Sequence, residues 1–401
     1  MTNFPLSGLR VINFGWVWAA PILGHTLADL GAEVIKVESN KRPDLVRCIP
    51  PYVADKLNES MYGHNTIRNH LSISLDMAFP EGRQIAVDLV RTADVVVENF
   101  SPRVMQKFGL DYRSLRKVRP DVIMVSMSAA GQVGPMAQMT TYGSVISCLA
   151  GLDGLQGHQD ERALPFGTSI ADPINGMLGA FAVMACLRHR SRTGKGQHID
   201  LSQWEATATT TGGPFMDYLL NGRLQAPIGN YDESMAPHGV YRCKGEDLWV
   251  TIAVKTDEEW RRLCEAIGRH DLATSEKYGD LYGRLLHHDE IDAVLANWAA
   301  QRDNYEITAL LQKQGIAAFP AMSSKQLFTD PHFWERGDWV EVNHPYGKEI
   351  IYGMPWKLSR TPGGVRRPCP ILGQDNSYIY AEVLGIPKGE LKDLEATKVL
   401  N

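Results

Sequence analysis

Short apolar runs alternate with helical segments along roughly the first 130 residues, and this alternation constrains the possible folds most strongly. Strands are indicated at residues 9–14, 33–38, 94–98 and 121–126, and helices at 21–31, 80–92 and 114–119. When a helix connects two consecutive strands in this way, the strands are parallel and the helix packs on one face of the sheet. The sequence therefore predicts an α/β fold with a Rossmann-like parallel sheet and helices on both faces.

The pattern changes after residue 202, where Thr- and Gly-rich residues and a long polar connection replace the alternation. Residues 240–254 are typical of a β-hairpin that turns at 244–247, and several helical segments follow. These features predict a second, smaller α+β domain. The predicted division is a large Rossmann-like domain at 1–205, a linker at 206–225, the small domain at 226–325, and a linker with a C-terminal return to the large domain at 326–401.

Composition argues against several classes of function. The net charge of −5 and the pI near 6.2 argue against general binding to nucleic acid or to an acidic membrane. No apolar run reaches the ~18–20 residues of a membrane span, and the run at 177–187 is predicted to be a buried helix. The first ten residues lack signal-peptide features, and the six scattered cysteines include no C-x-x-C pair. We expect a cytoplasmic protein with reduced thiols, no membrane contact and no metal site.

The first strand and helix superficially resemble the start of a dinucleotide site, but the turn between them argues against one. Its sequence, FGWVWAAPILG, lacks the G-x-G-x-x-G pattern that lets a backbone approach a pyrophosphate. Trp16 and Trp18 would obstruct that approach. Glu38, at the end of the second strand, is interpreted as a strand-end or surface carboxylate rather than as a ribose ligand.

Asp172 is the one acid within residues 167–196, GTSIADPINGMLGAFAVMACLRHRSRTGKG, and two compatible interpretations suit it. As the residue before Pro173, it is typical of a helix N-cap. A fixed, ionised carboxylate at a helix N-terminus is also suited to nucleophilic attack on an acyl carbon. The chain has no G-x-S-x-G or H-E-x-x-H motif, and no cysteine in a recognisable catalytic context, to compete for that role.

Several motifs, in the same order along nearly the whole chain, resemble the class III CoA-transferase family, of the formyl-CoA transferase and carnitine CoA-transferase type. They are PLSGLRVINFG, ADLGAEVIKVE, DVVVENFSPRVMQKFGLDYRSL, SMSAAGQVGP, the D-P-x-x-G segment that begins at Asp172, PHGVYRCKGEDLWVTIAV and PWKLSRTPG. The resemblance implies a Rossmann-like large domain, a smaller α+β domain and an interlocked dimer. It also implies that coenzyme A and acyl-CoA are substrates, with no tightly bound cofactor.

The resemblance assigns roles to individual residues. Asp172 matches the family's nucleophile, which forms an aspartyl anhydride with the donor acyl group and then an aspartyl-CoA thioester. The positions that match CoA-contacting residues are Trp18, Ala19, Arg68, Asn99, Phe100 and Lys107. The phosphate contacts stay open, because His70, Leu71 and Ser39 stand where family members have basic residues. Lys41 and Arg42 are close enough to substitute.

Two other functions are compatible with the chain. A 2-methylacyl-CoA racemase needs a second acid–base group, but its G-H-D histidine is replaced here by Thr141-Tyr142-Gly143. The chain could instead be the partner subunit of a heteromeric CoA-transferase. His238 is expected to have a loop or packing role, since CoA transfer requires no obligatory proton transfer.

Two tryptophans bear on the choice of acceptor acid. Trp16 and Trp18 beside the CoA loop favour a bulky apolar or aromatic acid, or a dicarboxylate such as benzylsuccinate, with a donor such as succinyl-CoA. Simple packing of the two rings explains them equally well.

Overall fold

The computed structural model describes residues 4–53, 57–159 and 161–400. Residues 1–3, the start of the segment tested for signal-peptide features, lie outside this range. In chain order the strands are β1 (Arg10–Asn13), β2 (Glu33–Glu38), β3 (His70–Ser74), β4 (Val95–Glu98), β5 (Ile123–Ser126), β6 (His198–Asp200), β7 (His238–Arg242), β8 (Trp249–Ala253), β9 (Ala317–Pro320), β10 (Trp339–His344) and β11 (Gly347–Tyr352).

The helices, in the same order, are α1 (Ala19–Asp29), α2 (Met61–Thr66), α3 (Pro80–Arg91), α4 (Val104–Lys107), α5 (Tyr112–Val118), α6 (Gly143–Leu149), α7 (Ala171–Thr193), α8 (Gln203–Ala208), α9 (Gly212–Asn221), α10 (Asp257–Ala266), α11 (His270–Ala273), α12 (Leu281–Leu286), α13 (His288–Ala299), α14 (Asn304–Lys313), α15 (Ser324–Thr329), α16 (Pro331–Glu335) and α17 (Lys388–Ala396). Residues Tyr378–Val383 form a π-helical turn.

The chain divides into two compact units. The first contains Met1–Asp153, Pro165–Leu224 and Arg336–Asn401, and the second contains Gly154–Leu164 and Gln225–Glu335. This division differs from the predicted one. Residues 154–164 were assigned to the large domain, but the N–H of Gly229 donates to the carbonyl of Gly157, which joins this segment to the second unit. The predicted linker at 206–225 instead contains α9 of the first unit.

A six-stranded parallel sheet forms the centre of the first unit. Its strand order is β3-β2-β1-β4-β5-β6, which is the order of a doubly wound α/β fold. Alternate residues enter two apolar clusters, one on each face: Ile12 and Ile35 pack on one side, and Val11 and Val34 on the other. Burial on both faces explains why β1 and β2 each have apolar residues at consecutive positions, and the predicted fold class is confirmed.

Strands β3 and β6 were not predicted. β6 has three residues, of which the first and last are exposed. The sequence of β3, HLSIS, is half polar although every residue is buried. It lies at the edge of the sheet, where the C-terminal segment covers it. Asp375 accepts a hydrogen bond from the Ser72 N–H, and Asn376 accepts one from the Ser74 N–H. The hydroxyl of Tyr380 donates to the Ser74 carbonyl, so the tail satisfies backbone groups that an exposed edge would leave unpaired.

The second unit is built on a three-stranded antiparallel sheet in the order β7-β8-β9. Strands β7 and β8 form the hairpin that the sequence predicted, with His238 opposite Ala253. Apolar residues of β8, α10, α13 and α14 form one core; among them are Val250, Trp260, Leu263, Ile291, Leu295, Ile307 and Leu311. The second unit is therefore an α+β structure, in which helices pack on the β7–β8 hairpin around one apolar core.

Helix α7 differs from the buried helix predicted at 177–187. Gly176 and Gly179 face α1, but Met177 is 50% exposed and Phe181 is 68% exposed within the chain. The all-apolar sequence thus has one face on the core and one face uncovered. Within the described residues, no helix combines the length and the apolar character that crossing a membrane requires.

Candidate active site

A cavity of about 990 Å³ lies in the first unit, beside the carboxyl ends of the central strands. Residues that follow β1 (Trp16, Trp18) and β4 (Asn99, Phe100) line one part of it, and Asp172 lines another. Strands β1 and β4 are the neighbours at which the strand order reverses, the usual position of a ligand in a doubly wound sheet. The sheet topology therefore brings the predicted nucleophile and much of the predicted CoA loop to one place.

Asp172 is the second residue of α7 rather than its N-cap, because the helix begins at Ala171 and Ile170 occupies the cap position. The side chain is only 9% exposed. The Ser169 hydroxyl donates a hydrogen bond to Oδ2, and the backbone N–H of Ala19 also donates to the carboxylate. Burial raises the pKa of Asp172, and these two donors partly oppose that rise.

Three glycines explain why Asp172 occupies this position. A Cβ on Gly176 would lie 2.8 Å from the carbonyl oxygen of Ala19, and a Cβ on Gly179 would lie 2.6 Å from the Leu23 side chain. Because both lack a side chain, α7 lies close against α1, and the Ala19 N–H reaches the carboxylate. A Cβ on Gly143, at the start of α6, would lie 1.7 Å from Asp172 Oδ2, so this position admits no side chain.

The predicted CoA-contacting residues Trp18, Asn99 and Phe100 line the cavity with Asp172. Ala19 is fully buried and faces Asp172 through its backbone. Asn99 also fixes the loop after β1: its Oδ1 accepts from the Trp16 N–H at 2.7 Å, and its Nδ2 donates to the Trp16 carbonyl at 2.8 Å. Asn99 therefore shapes the wall of the cavity as well as lining it.

The structure does not bring the two predicted basic residues to the cavity. Arg68 is buried, and its guanidinium is 2.7 Å from the Asp29 carboxylate, so its charge is already neutralised within the fold. Arg68 is not among the residues that line the cavity, and its expected CoA contact stays a prediction. Lys107, at the end of α4, is exposed and is not among the residues that line the cavity.

Other cations line the cavity instead. Lys41 and Arg42, the substitutes considered for the missing family arginine, are both lining residues. The Arg42 guanidinium is 5.0 Å from the centre of the Trp16 ring, and Lys41 pairs with Asp76 at 2.7 Å. A phosphate group that enters this part of the cavity would therefore meet positive charge on the segment after β2.

A buried ion pair holds the loop after β1 through a hydrogen bond, a feature that was not predicted from the sequence. Lys36 Nζ lies 2.8 Å from the Asp44 carboxylate, whose Oδ1 accepts from the Val17 N–H at 2.8 Å. Val17 has a φ of 63°, a strained value for a β-branched residue. Glu38 ends β2, as the strand-end interpretation predicted, but it is buried rather than on the surface. Burial disfavours its charge, but Arg47 and Lys36 prevail and hold its pKa at about 2.

The remaining predicted positions fit less direct roles. Thr141, Tyr142 and Gly143 line the cavity, and no histidine is among its described lining residues. The histidine that a racemase of this superfamily would need is therefore not among these lining residues. His238, expected to have a loop or packing role, is the first residue of β7 in the second unit, and its Nδ1 is 2.5 Å from the Asn230 carbonyl oxygen in the loop before the strand.

Comparison with known proteins places this arrangement in a family. Residues 6–376 match the model of CoA-transferase family III. The chain belongs to CoA-transferase family III. This class III CoA-transferase is 34% identical over 385 residues to the succinate–glutarate CoA-transferase of Agrobacterium fabrum, an alignment that covers 94% of this chain and 96% of the relative.

Two further relatives align with at least 95% of the CoA-transferase chain. The beta subunit of the succinyl-CoA–L-malate CoA-transferase of Chloroflexus aurantiacus is 30% identical, with 100% of this chain and 99% of the relative covered. The crystal structure of a CAIB/BAIF family protein from Brucella suis superposes with a TM-score of 0.88 at 31% identity, over 95% of this chain and 100% of that one. Both units of the CoA-transferase thus have counterparts in a solved relative.

Proposed function

We propose that this CoA-transferase moves CoA from succinyl-CoA to a dicarboxylic acid, with Asp172 as the covalent nucleophile. One observation supports the role of Asp172 above all others. Its carboxylate is buried at the cavity wall, hydrogen-bonded by the Ser169 hydroxyl and by the Ala19 N–H, and pressed against Gly143. Among the described lining residues of the cavity, Asp172 is the only carboxylate.

The proposed chemistry is a relay of acyl transfers. The Asp172 carboxylate attacks the donor thioester carbon and expels CoA as a thiolate, which leaves an aspartyl–acyl anhydride. The thiolate then attacks the aspartyl carbonyl carbon, releases the donor acid and forms an aspartyl-CoA thioester. The acceptor carboxylate attacks this thioester and again expels the thiolate. Attack of that thiolate on the acceptor acyl carbon yields the product thioester and restores the Asp172 carboxylate.

The groups around Asp172 suit this relay. Each attack on the aspartyl carbonyl places negative charge on its oxygen, and the Ser169 hydroxyl and Ala19 N–H are donors already directed at the carboxylate. Burial raises the pKa of Asp172 and so makes the ionised carboxylate more basic than an exposed one. Low exposure also limits the access of water, which would hydrolyse the anhydride and the thioester.

The substrate assignment draws on the relatives and on the cavity wall. The relatives named above act on succinate and glutarate or on L-malate, all of them dicarboxylic acids, and the malate enzyme is named for succinyl-CoA. Trp16 and Trp18 line the cavity while packing against Phe100 and Tyr62. An apolar wall of this kind favours a dicarboxylic acid with an apolar or aromatic substituent, such as benzylsuccinate.

The transferase is also proposed to work as an oligomer, either an interlocked homodimer or a heteromer with a related chain. The exposed apolar residues of α7 and α9 support this, among them Met177, Phe181, Phe215, Leu219 and Leu220. An uncovered surface of this composition is typical of an interface between subunits. The name of the relative from C. aurantiacus, a beta subunit, supports the heteromeric alternative for that protein.

A trapping experiment tests the nucleophile. Incubation with succinyl-CoA, followed by borohydride or hydroxylamine and peptide mass spectrometry, should place the modification on Asp172 in the wild-type protein. Asp172→Asn keeps the size of the side chain and should lose both the modification and CoA transfer. Asp153→Asn, at a buried acid outside the lining of the cavity, is the matched control and should retain both. Normal transfer by Asp172→Asn would refute the proposal.

A substrate panel tests the rest. CoA transfer from succinyl-CoA is measured to glutarate, L-malate, benzylsuccinate, oxalate and carnitine with the chain purified alone. The proposal predicts the highest kcat/KM for a dicarboxylate, with benzylsuccinate above glutarate. A preference for oxalate or carnitine would overturn the acceptor assignment. Inversion of a 2-methylacyl-CoA would indicate the racemase, and inactivity until a related chain is added would indicate a heteromer.

A further inference from the structure

A compact cluster of ligand-type side chains lies in the first unit, apart from the residues that line the cavity. His64 belongs to α2, His344 ends β10 and Glu349 is in β11. One ligand atom from each of the three lies within 4.8 Å of the others. The side chains of His64 and Glu349 are 1% and 8% exposed, and His344 is 5% exposed. The fold has therefore placed two imidazoles and a carboxylate together away from water.

Four polar atoms of this cluster have no hydrogen-bond partner: His64 Nδ1, His344 Nε2, and Glu349 Oε1 and Oε2. His64 Nδ1 and Glu349 Oε2 approach to 2.8 Å, yet this contact lacks hydrogen-bond geometry. Burying polar atoms without partners is costly, and a carboxylate with no donor is the most costly of them. A cation bound by these atoms would satisfy the carboxylate and both nitrogens at once.

The orientation of His64 suits a metal ligand. Its Nε2 lies 2.7 Å from the carbonyl oxygen of Asn58 and can donate its proton there. That hydrogen bond leaves Nδ1 with a free lone pair directed at Glu349. Metal-binding histidines usually have this arrangement, in which a carbonyl or carboxylate holds the other ring nitrogen.

His344 packs against His64, with the ring centres 4.1 Å apart. The backbone N–H of Tyr346 is directed at its Nδ1, which accepts at 3.4 Å. This distance exceeds the usual range of about 2.7–3.2 Å, so the contact holds the proton on Nε2 only weakly. Metal binding through Nε2, the atom with no partner, requires that this proton move to Nδ1.

We propose that His64, His344 and Glu349 form a binding site for a divalent transition metal ion, with zinc as the ion that fits best. Two imidazole nitrogens and one carboxylate are a common zinc ligand set. Ligand atoms on one zinc ion lie about 3 to 4 Å apart, since each bond is about 2.0–2.2 Å. The widest pair in the cluster must therefore approach by about 1 Å, a movement within the reach of side-chain rotation.

The proposed ion has a structural role. It joins α2 to the hairpin of β10 and β11, segments that are far apart in the sequence, and cross-links of distant segments restrict the unfolded chain most. The neighbouring residue Asn65 already accepts a hydrogen bond from the Tyr352 N–H of the same hairpin. Tyr62, also in α2, lines the cavity and packs against Trp18. Binding of the ion would therefore also hold one wall of the cavity.

Metal binding tests the proposal without any measurement of CoA transfer. The full chain is stripped with a chelator, then titrated with zinc in competition with a chromophoric chelator, and its metal content is measured after dialysis. We expect one zinc per chain and a rise in Tm of about 5 °C at free zinc near 100 times Kd. Cobalt(II) in the same site should give visible absorption bands typical of a four- or five-coordinate ion.

Variants distinguish this site from adventitious binding. Glu349→Gln preserves shape and should weaken zinc binding by about tenfold or more, and His344→Gln should do the same. His270→Ala removes an exposed histidine of the second unit and should leave zinc affinity unchanged. Zinc affinity of Glu349→Gln equal to that of the wild type would overturn the proposal, as would the absence of stoichiometric zinc from a folded wild-type protein. Either result would leave only the 2.8 Å contact between His64 Nδ1 and Glu349 Oε2.

Discussion

The side-chain amide of Asn99 binds both backbone groups of Trp16: its Oδ1 accepts from the N–H at 2.7 Å, and its Nδ2 donates to the carbonyl at 2.8 Å. One residue after β4 thereby fixes the loop after β1, and both residues line the cavity beside Asp172. The amide satisfies both polar backbone groups of one residue, so either half of the interaction can be removed separately by substitution.

Asn99→Ala should therefore loosen the Trp16 loop. We expect kcat/KM for the acyl-CoA donor to fall about tenfold or more and the free energy of unfolding to fall by about 1 kcal/mol, because two part-buried backbone groups lose their partner. Asn99→Asp retains the acceptor and should show a smaller loss of stability. Steady-state kinetics and denaturant unfolding measure the two effects. Equal kinetics for Asn99→Ala and the wild type would contradict this role.

Gly143→Ala should abolish CoA transfer while leaving most of the fold intact. The added Cβ would lie 1.7 Å from Asp172 Oδ2 and 2.0 Å from the Ser169 Oγ, so the carboxylate must move. Gly154→Ala is a matched control, since no atom lies within 4 Å of its Cβ position. Transfer rates and circular dichroism of the two variants provide the comparison. A fully active Gly143→Ala would show that the observed position of Asp172 is not the reactive one.

The acid limb of the pH–rate profile should report Asp172, because only the ionised carboxylate attacks. Burial raises its pKa above the ordinary 3.8, so kcat/KM should rise with pH through a midpoint above that value. The Ser169 hydroxyl lowers this pKa, so Ser169→Ala should move the midpoint to higher pH. Thr168→Ala, at a neighbouring lining residue, serves as the control. A shift of the Ser169→Ala profile to lower pH would contradict the assignment.

Glu98 should make stability depend on pH near neutrality. Burial raises the pKa of Glu98 to about 7 from an ordinary 4.5. Because the folded-state pKa is the higher one, the neutral acid favours folding below about pH 4.5, and this contribution is lost as pH rises through about 7. The loss approaches about 3 kcal/mol, at about 1.4 kcal/mol per pKa unit.

Glu98→Gln removes the titrating group and keeps its size. The variant should gain stability relative to the wild type between pH 5 and pH 8, as measured by denaturant unfolding at each pH. A constant difference across this range would show that Glu98 titrates normally.

The exposed apolar face of α7 should mediate assembly. Phe181→Asp places a charge on a residue that is 68% exposed in the single chain, so the fold should tolerate it while the interface should not. Light scattering after gel filtration should show a dimer for the wild type and a monomer for Phe181→Asp. Tyr282→Asp, at a residue of the second unit that is 74% exposed, should remain dimeric. A monomeric wild type would remove the basis for this prediction.

Four of the six strands of the sheet were predictable, because burial on both faces leaves mostly apolar segments in the sequence, such as Val95–Glu98 of β4. β3 escaped prediction because its polar residues are satisfied by Asp375 and Asn376, some 300 positions away. The exposed face of α7 was missed for a related reason. An all-apolar helix looks the same in sequence whether it is covered by its own chain or by another one.

The candidate site was predictable where a residue belongs to a recognisable motif, as Asp172 does. Residues whose position depends on distant partners were not predictable in the same way. Arg68 has the right charge for a phosphate contact, but Asp29 neutralises it inside the fold. Conversely, we predicted no metal site because the cysteines are not paired. The cluster of His64, His344 and Glu349 was missed because its members are brought together only by the tertiary structure.

Gly143 and Ser169 close the Oδ2 side of Asp172, and this has a consequence for the order of events at the carboxylate. Any group that bonds to Asp172 therefore has to approach from the side that lines the cavity. In the relay that we propose, the donor acyl group, the coenzyme sulfur and the acceptor would all reach the carboxylate from this one side. A single open side implies that these bonds to Asp172 form one after another.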